Sequence, residues 1–267
     1  MISSDDMAQN FPYLVNMMRF TQHARKFSAF VALFATLGAG AGADAATCDA
    51  VKDAGVVVCT FEPAKADLRL FWRDPEGVAY SGFDRLARNI DTKGERLVFA
   101  MNAGMYQPDL APVGLYVEDG QQRHPVNLQA GAGNFGLRPN GVFWIDGNRA
   151  GVTETGRFLQ SGMKPKFATQ SGPMLVIGGR IHPKINPEGT SEKVRNGVAL
   201  CEDGRLRFMI SDKPVTFYRF ATMFRDGLRC PDALFLDGSI SALYAPNLDR
   251  NDGWRPMGPI VGAVEKK

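Results

Sequence analysis

Histidine is scarce in this chain. Three occur in 267 residues, at positions 23, 124 and 182. His23 falls in a leader-like segment, and His124 and His182 each precede a proline, which favours extended or turn backbone. A two-histidine zinc site or a double-histidine phospholipase is therefore poorly supplied. No C-x-x-C pair occurs, which argues against a structural zinc. No G-x-S-x-G elbow marks an α/β-hydrolase nucleophile. No G-x-x-x-x-G-K-[ST] loop marks a nucleotide phosphate site. Internal repeats and low-complexity linkers are lacking. The formal net charge is only +3, with no basic stripe interleaved with aromatics, so nucleic acid is not an expected partner.

What is present suits a globular protein with a real core: 45% hydrophobic and 22% charged residues. The 29 glycines and 16 prolines suggest many turns and a β-rich fold. The first segment reads as targeting, not fold. Arg19, Arg25 and Lys26 precede the apolar stretch Phe27 to Leu37, which is too short to span a bilayer. Small residues follow, with Ala43-Asp44-Ala45 as an A-x-A cleavage site. Residues 1–45 are thus expected to be a secretory signal region, with translation starting at Met1, Met17 or Met18. The mature domain is expected to be 46–267. Ala45-Ala46-Thr47 before Cys48 does not resemble a lipoprotein signal, so no lipid anchor or stable membrane insertion is expected after signal removal. The expected location is periplasmic or secreted. Cys48, Cys59, Cys201 and Cys230 all follow the signal, an even count that suggests disulfides. Three pairings are open; the sequence-local one joins Cys48 to Cys59 and Cys201 to Cys230.

The mature part has the length of one domain. "GVVVCTF" (55–61), "DLRLFW" (67–72) and "RLVFAMN" (96–102) read as strands. "FDRLARNI" (83–90) reads as a short helix. Hairpin signals centre on Asp119-Gly120, Asp146-Gly147, Gly178-Gly179 and Asp203-Gly204. Residues 215–228 place Tyr218, Ala221, Phe224 and Leu228 on one helix face. "DALFLD" and "PIVGAV" (259–264) complete the strands. The expected class is α+β: a single domain with a mixed or antiparallel sheet, rich in hairpins, and a few packed helices.

Polar clusters containing glycine recur at strand ends. They are Asn102 with Gly104 and Tyr106, Arg138 with Asn140 and Gly141, and Gln170 with Ser171 and Gly172. Two more are Arg195 with Asn196 and Gly197, and Asp237 with Ser239 and Ser241. Glycine lets backbone come close to a ligand. Asn, Gln and Ser match sugar hydroxyls by donor and acceptor count. Arginine can hold a phosphate bidentately. A small polar ligand with hydroxyls and one anionic group is the ligand class these imply. Each cluster also has a plainer reading as a turn or a cap. Asp237 follows an apolar run, so it is expected as a cleft-exposed carboxylate fixed at the end of a buried strand.

In this order, "MNAGMY", "RPNGVF", "QSGPMLV", "VRNGVAL" and "ALFLDGSIS" resemble the phosphodiester glycosidase family, and most closely a bacterial branch linked to exopolysaccharide biosynthesis. The resemblance covers roughly residues 67–265. Where the wider family has Asp-Gly-Gly-Gly-Ser, this chain has Asp237-Gly238-Ser239-Ile240-Ser241. The resemblance implies a glycosidase that hydrolyses a sugar-1-phosphodiester at the anomeric carbon. Asp237, Arg195 and Asn102 are the expected catalytic residues, with Arg195 holding the phosphate and Glu154 a spare carboxylate. Gly104, Asn140, Gln170, Ser171, Gly172, Asn196, Ser239 and Ser241 are expected to bind substrate. No cofactor is expected. A divalent metal stays open, with Asp237 and Asn102 as oxygen donors. The rivals are a non-catalytic polysaccharide-binding accessory protein and a phosphodiesterase that breaks P–O.

Overall fold

A computed structural model describes residues 46–131, 133–237 and 240–267. The expected signal region, Gly238 and the substrate candidate Ser239 lie outside the described residues. The chain opens with β1 (Ala46–Val51), β2 (Val56–Phe61) and β3 (Asp67–Phe71), then α1 (Phe83–Asp91) and β4 (Glu95–Asn102). A hairpin of β5 (Tyr116–Glu118) and β6 (Gln121–His124) leads to the short α2 (Gly133–Gly136). A second hairpin, β7 (Gly141–Asp146) and β8 (Arg149–Glu154), runs into α3 (Thr155–Gln160). Then come β9 (Phe167–Ser171), β10 (Met174–Ile177), β11 (Arg180–Ile181), β12 (Asn196–Leu200) and β13 (Leu206–Ser211). After α4 (Phe217–Thr222) the chain ends with β14 (Asp232–Phe235), β15 (Leu243–Ala245), β16 (Arg250–Asn251) and β17 (Ile260–Lys266).

These strands form three sheets. One has seven strands in the order β1-β2-β13-β12-β14-β10-β11. The other two have five each, β16-β15-β4-β17-β3 and β6-β5-β9-β7-β8. Each strand pair is antiparallel. The fold is therefore α+β, as the pattern of hairpins implies. All four expected hairpin turns connect neighbouring strands. At Asp119-Gly120 both residues have positive φ, 50° and 75°, which glycine adopts freely and aspartate tolerates.

The sheets meet on a core of phenylalanines. Phe61 and Phe208 come from the seven-stranded sheet, Phe99 from the second and Phe143 from the third. Ring centroids lie 4.9 Å apart for Phe61–Phe99, 5.0 Å for Phe99–Phe208 and 5.6 Å for Phe143–Phe208. Each ring is fully buried or nearly so, and burying each stabilises by about 2–3 kcal/mol. Helix α1 buries Phe83, Leu86 and Ile90, one face of the helix, against β4 and β17 residues such as Leu97 and Ile260.

The expected helix 215–228 begins at Phe217, two residues later, and changes form part-way. Thr216 caps α4 by accepting the Arg219 N–H at 3.2 Å. From Met223 to Gly227 the backbone widens into a π turn, and the Leu228 N–H bonds the Met223 carbonyl. The extra residue per turn shifts the buried face. Phe220, Ala221 and Phe224 are buried, while Tyr218 and Leu228 are only partly covered.

Both sequence-local cysteine pairs are disulfides. Cys48 and Cys59 face each other across the β1–β2 hairpin. Cys201–Cys230 ties the end of β12 to the turn before β14. Two disulfides suit an oxidising, exported setting. Among the described residues no helix is long and apolar enough to cross a membrane.

Candidate functional site

Five strand ends come together at one edge of the core. They are the C-terminal ends of β4, β9 and β14 and the N-terminal ends of β7 and β12. Each carries one of the polar–glycine clusters.

The centre of this edge is Asn196. It is fully buried. Its Nδ2 donates to both the backbone oxygen and Oδ1 of Asn102, each at 3.0 Å. Its Oδ1 accepts the backbone N–H of Asp237 at 3.1 Å. Asn102 Oδ1 in turn accepts the Ala242 N–H at 2.8 Å, and Asn102 Nδ2 donates to the Ile240 carbonyl at 2.5 Å. Ser241 Oγ has three acceptors within reach, the carbonyls of Val194 and Asp237 at 3.1 Å and Asn196 Oδ1 at 3.4 Å. Its single proton serves one at a time. Two amides and a hydroxyl thus fasten the chain on both sides of Asp237.

A second network surrounds Gln170. Its Oε1 accepts the N–H groups of Leu115 at 3.0 Å and Asn127 at 2.9 Å, and its Nε2 donates to the Asn127 carbonyl at 2.9 Å. Asn140 Oδ1 accepts the Thr155 hydroxyl at 2.8 Å, and Asn140 Nδ2 donates to the Phe135 carbonyl at 3.2 Å. Ser171 Oγ donates to the Leu236 carbonyl at 2.6 Å, next to Asp237. Thr155 and Asn127 belong to this network although nothing in their sequence context singled them out.

Asp237 lies just past β14 and is 5% exposed. The expected cleft-exposed carboxylate is therefore a buried one. Its charge reaches Tyr106. That hydroxyl is held well above the usual phenol range, chiefly by burial and then by Asp237. It stays protonated and donates to the Pro256 carbonyl at 3.1 Å.

Arg195 needs a correction in its surroundings. Alternation along β12 sends its side chain to the opposite face from Asn196. It is 1% exposed, with Cζ 3.6 Å over the Phe217 ring. Nε donates to the Val215 carbonyl at 2.8 Å and Nη2 to the Ser191 carbonyl at 2.9 Å. Burial lowers its pKa to about 10, so it remains charged at neutral pH. These contacts tie the loop before α4 and are not those of an open phosphate clamp.

The smaller candidates are also engaged within the fold. A Cβ on Gly104 would lie 2.8 Å from the Gln170 carbonyl oxygen, and one on Gly172 would lie 2.7 Å from Asn140 Cβ. Both glycines permit close chain packing. Glu154 caps α3, accepting the Gly156 and Arg157 N–H groups at 2.9 Å each. Among the described residues no cluster of three or more His, Cys, Asp or Glu could hold a metal ion.

The phosphodiester glycosidase family profile matches residues 95–262. YigE of Escherichia coli K12, itself uncharacterised, is 38% identical over 185 residues, covering 69% of this chain and 72% of that protein. Two solved structures share the fold. One is the catalytic domain of zebrafish N-acetylglucosamine-1-phosphodiester alpha-N-acetylglucosaminidase, auto-inhibited by its pro-peptide. It matches with a TM-score of 0.54 at 14% identity, over 82% of this chain and 81% of that one. The other, a hypothetical protein from Synechocystis, has a TM-score of 0.51 at 14% identity, over 82% of this chain and 61% of that one.

Proposed function

This chain belongs to the phosphodiester glycosidase family, and from that premise we propose that it hydrolyses a sugar-1-phosphodiester at the anomeric carbon. The substrate would be an envelope or exported glycan, met in the periplasm or outside the cell. The observation that carries this reading is Asp237: a carboxylate 5% exposed, with its backbone fastened by Asn196 at the end of a buried strand.

The chemistry asks little more. An ordinary glycosidase needs an acid to protonate an alkoxide leaving group. A phosphate monoester leaves without that help. In this reading the oxygen of a water molecule bonds to the anomeric carbon. The C–O bond to phosphate breaks, and its electron pair leaves with the phosphate oxygen. Asp237 takes the water proton or faces the oxocarbenium-like centre. Asn102, Asn196 and Ser241 act as positioning residues. Their donors and acceptors already meet protein groups, so they hold Asp237 rather than the sugar.

Hydrolysis in oxygen-18 water tests the reaction. Label in the released sugar supports C–O cleavage. Label in the phosphate indicates a P–O cleaving phosphodiesterase and overturns the proposal. Binding of the glycan without release of either product leaves a polysaccharide-binding accessory protein.

A further inference from the structure

Residues 254–258 run beside the edge that carries Asp237. The Ala103 N–H donates to the Pro259 carbonyl at 2.8 Å, which ties this segment to the chain just past Asn102. A Cβ on Gly258 would lie 2.5 Å from Tyr106 Cβ, so the backbone passes directly against that side chain. The Tyr106 hydroxyl donates to the Pro256 carbonyl at 3.1 Å. Tyr106 and Ile240 both pack on the apolar cluster that holds Met257, and Ile240 follows Asp237 by three residues. The phenol is within electrostatic reach of both sides of the edge. Burial raises its pKa first, Asp237 raises it further, and Arg255 lowers it.

Two side chains of this segment face solvent. Trp254 is 73% exposed, although burying an indole would be favourable. Arg255 is exposed beside it, with Cζ 4.3 Å from the centroid of the Trp254 ring. Among the described residues Arg255 has no ion-pair partner. The stack occupies the face of the guanidinium and leaves its N–H edges available for a bidentate oxyanion. It also restrains a long side chain, so less freedom is lost when an anion binds.

We propose that Arg255 and Trp254 form the substrate-facing wall of this edge, Arg255 holding the phosphate of the sugar-1-phosphodiester and Trp254 meeting the apolar face of the sugar. Arg195, buried against Phe217 with carbonyl partners, leaves the phosphate task open. The anion site stands on the exposed stacked pair beside Asp237; its identification with the phosphate of the substrate rests on the glycosidase reading.

The test is binding of inorganic phosphate and of α-D-glucose 1-phosphate to the whole protein, by calorimetry. Wild type should bind both. Arg255→Gln should weaken both by at least about tenfold, the scale of a lost charge-assisted contact. Its melting point without ligand should stay within about 2 °C of wild type, because the side chain is exposed. A structural arginine would instead lower the melting point and spare the binding. Trp254→Ala should weaken glucose 1-phosphate by about 2–10-fold, the scale of one aromatic contact, and inorganic phosphate less. Equal losses on the two ligands would remove the sugar contact. Arg149→Gln, on a remote hairpin turn, should change neither. No binding of either ligand to wild type, or equal affinity in Arg255→Gln, overturns the proposal. Turnover of a sugar-1-phosphodiester by wild type is measured alongside. Binding lost in Arg255→Gln, with no wild-type turnover, keeps the anion site and removes the glycosidase reading. Wild-type turnover, with binding and kcat/KM undiminished in Arg255→Gln, does the opposite.

Discussion

Asn196→Ala separates a scaffold from a ligand reader. Asn196 is fully buried and bonds two oxygens of Asn102 and the N–H of Asp237. Alanine removes these bonds without a clash. Asn102 Oδ1 keeps the Ala242 N–H at 2.8 Å. The Asp237 N–H and the Asn102 backbone oxygen lose a partner in a dry place. Each stranded group costs about 1–3 kcal/mol, so the loss should be about 2–6 kcal/mol. Against a typical total of roughly 5–15 kcal/mol, the variant should still fold at 25 °C but melt early. Urea unfolding followed by tryptophan fluorescence measures it. Asn196→Asp sharpens the reasoning. It keeps the shape, but an ionised side chain has no donor for the Asn102 oxygens. It should lose as much as alanine at neutral pH and regain ground on wild type as pH falls and a proton restores the donor. A loss below about 1 kcal/mol in Asn196→Ala would refute the scaffold role and return this amide to substrate contact.

Asp237→Asn keeps size and removes charge. Turnover should fall by at least about 100-fold with the far-ultraviolet dichroism unchanged; near-normal turnover would leave Asp237 a structural residue. Arg195→Ala strips the contact with Phe217 and two carbonyl partners. It should cost about 2–4 kcal/mol of stability and impair phosphodiester and neutral-aglycone substrates alike, whereas a selective loss on phosphodiesters would restore a direct role. Burial pushes the Glu118 carboxyl up to about 7, with the Tyr116 hydroxyl donating to it at 3.1 Å. A raised folded pKa gives stability that is full below the unfolded value and lost as pH rises through about 7. Glu118→Gln should therefore match wild type at acid pH and exceed it above neutrality; equal urea midpoints across that window would count against the burial. Replacing Cys201 and Cys230 together by alanine should cost about 2–4 kcal/mol, read as a lower denaturant midpoint under non-reducing conditions.

The strands were legible where the code is local. Apolar runs and Asp-Gly or Gly-Gly turns located β2, β3, β4, β14, β17 and four hairpins. The division into three sheets was not. Strands joined by hairpins look alike whether the next neighbour in space is β17 for β4 or β9 for β7, because that choice depends on which phenylalanine meets which across the core. The short α3 was also hidden. Its cap is Glu154, a carboxylate that reads equally as a candidate acid. The π turn at Met223–Gly227 left no local signature, so the expected face fails after Phe224, at Leu228; before it, the face runs through Phe220 rather than Tyr218.

The site was legible as a place and illegible as a set of roles. Asn102, Asn140, Gln170, Asn196 and Asp237 do gather at strand ends. But a strand that stops inside a protein leaves backbone groups unpaired, and a buried amide is the residue that can satisfy both a donor and an acceptor there. The letters that would read a sugar are thus the letters that finish a strand end. Sequence has no term for whether an amide's hydrogen bonds are already made. Arg138 and Arg195 show the same blindness. Each precedes an Asn-Gly by one or two residues, and each belongs to a polar–glycine cluster. One has its guanidinium packed on Phe217 with carbonyl partners. The other has two buried nitrogens with none. That difference is set by which groups the fold packs around each side chain, and the shared Asn-Gly motif does not encode it.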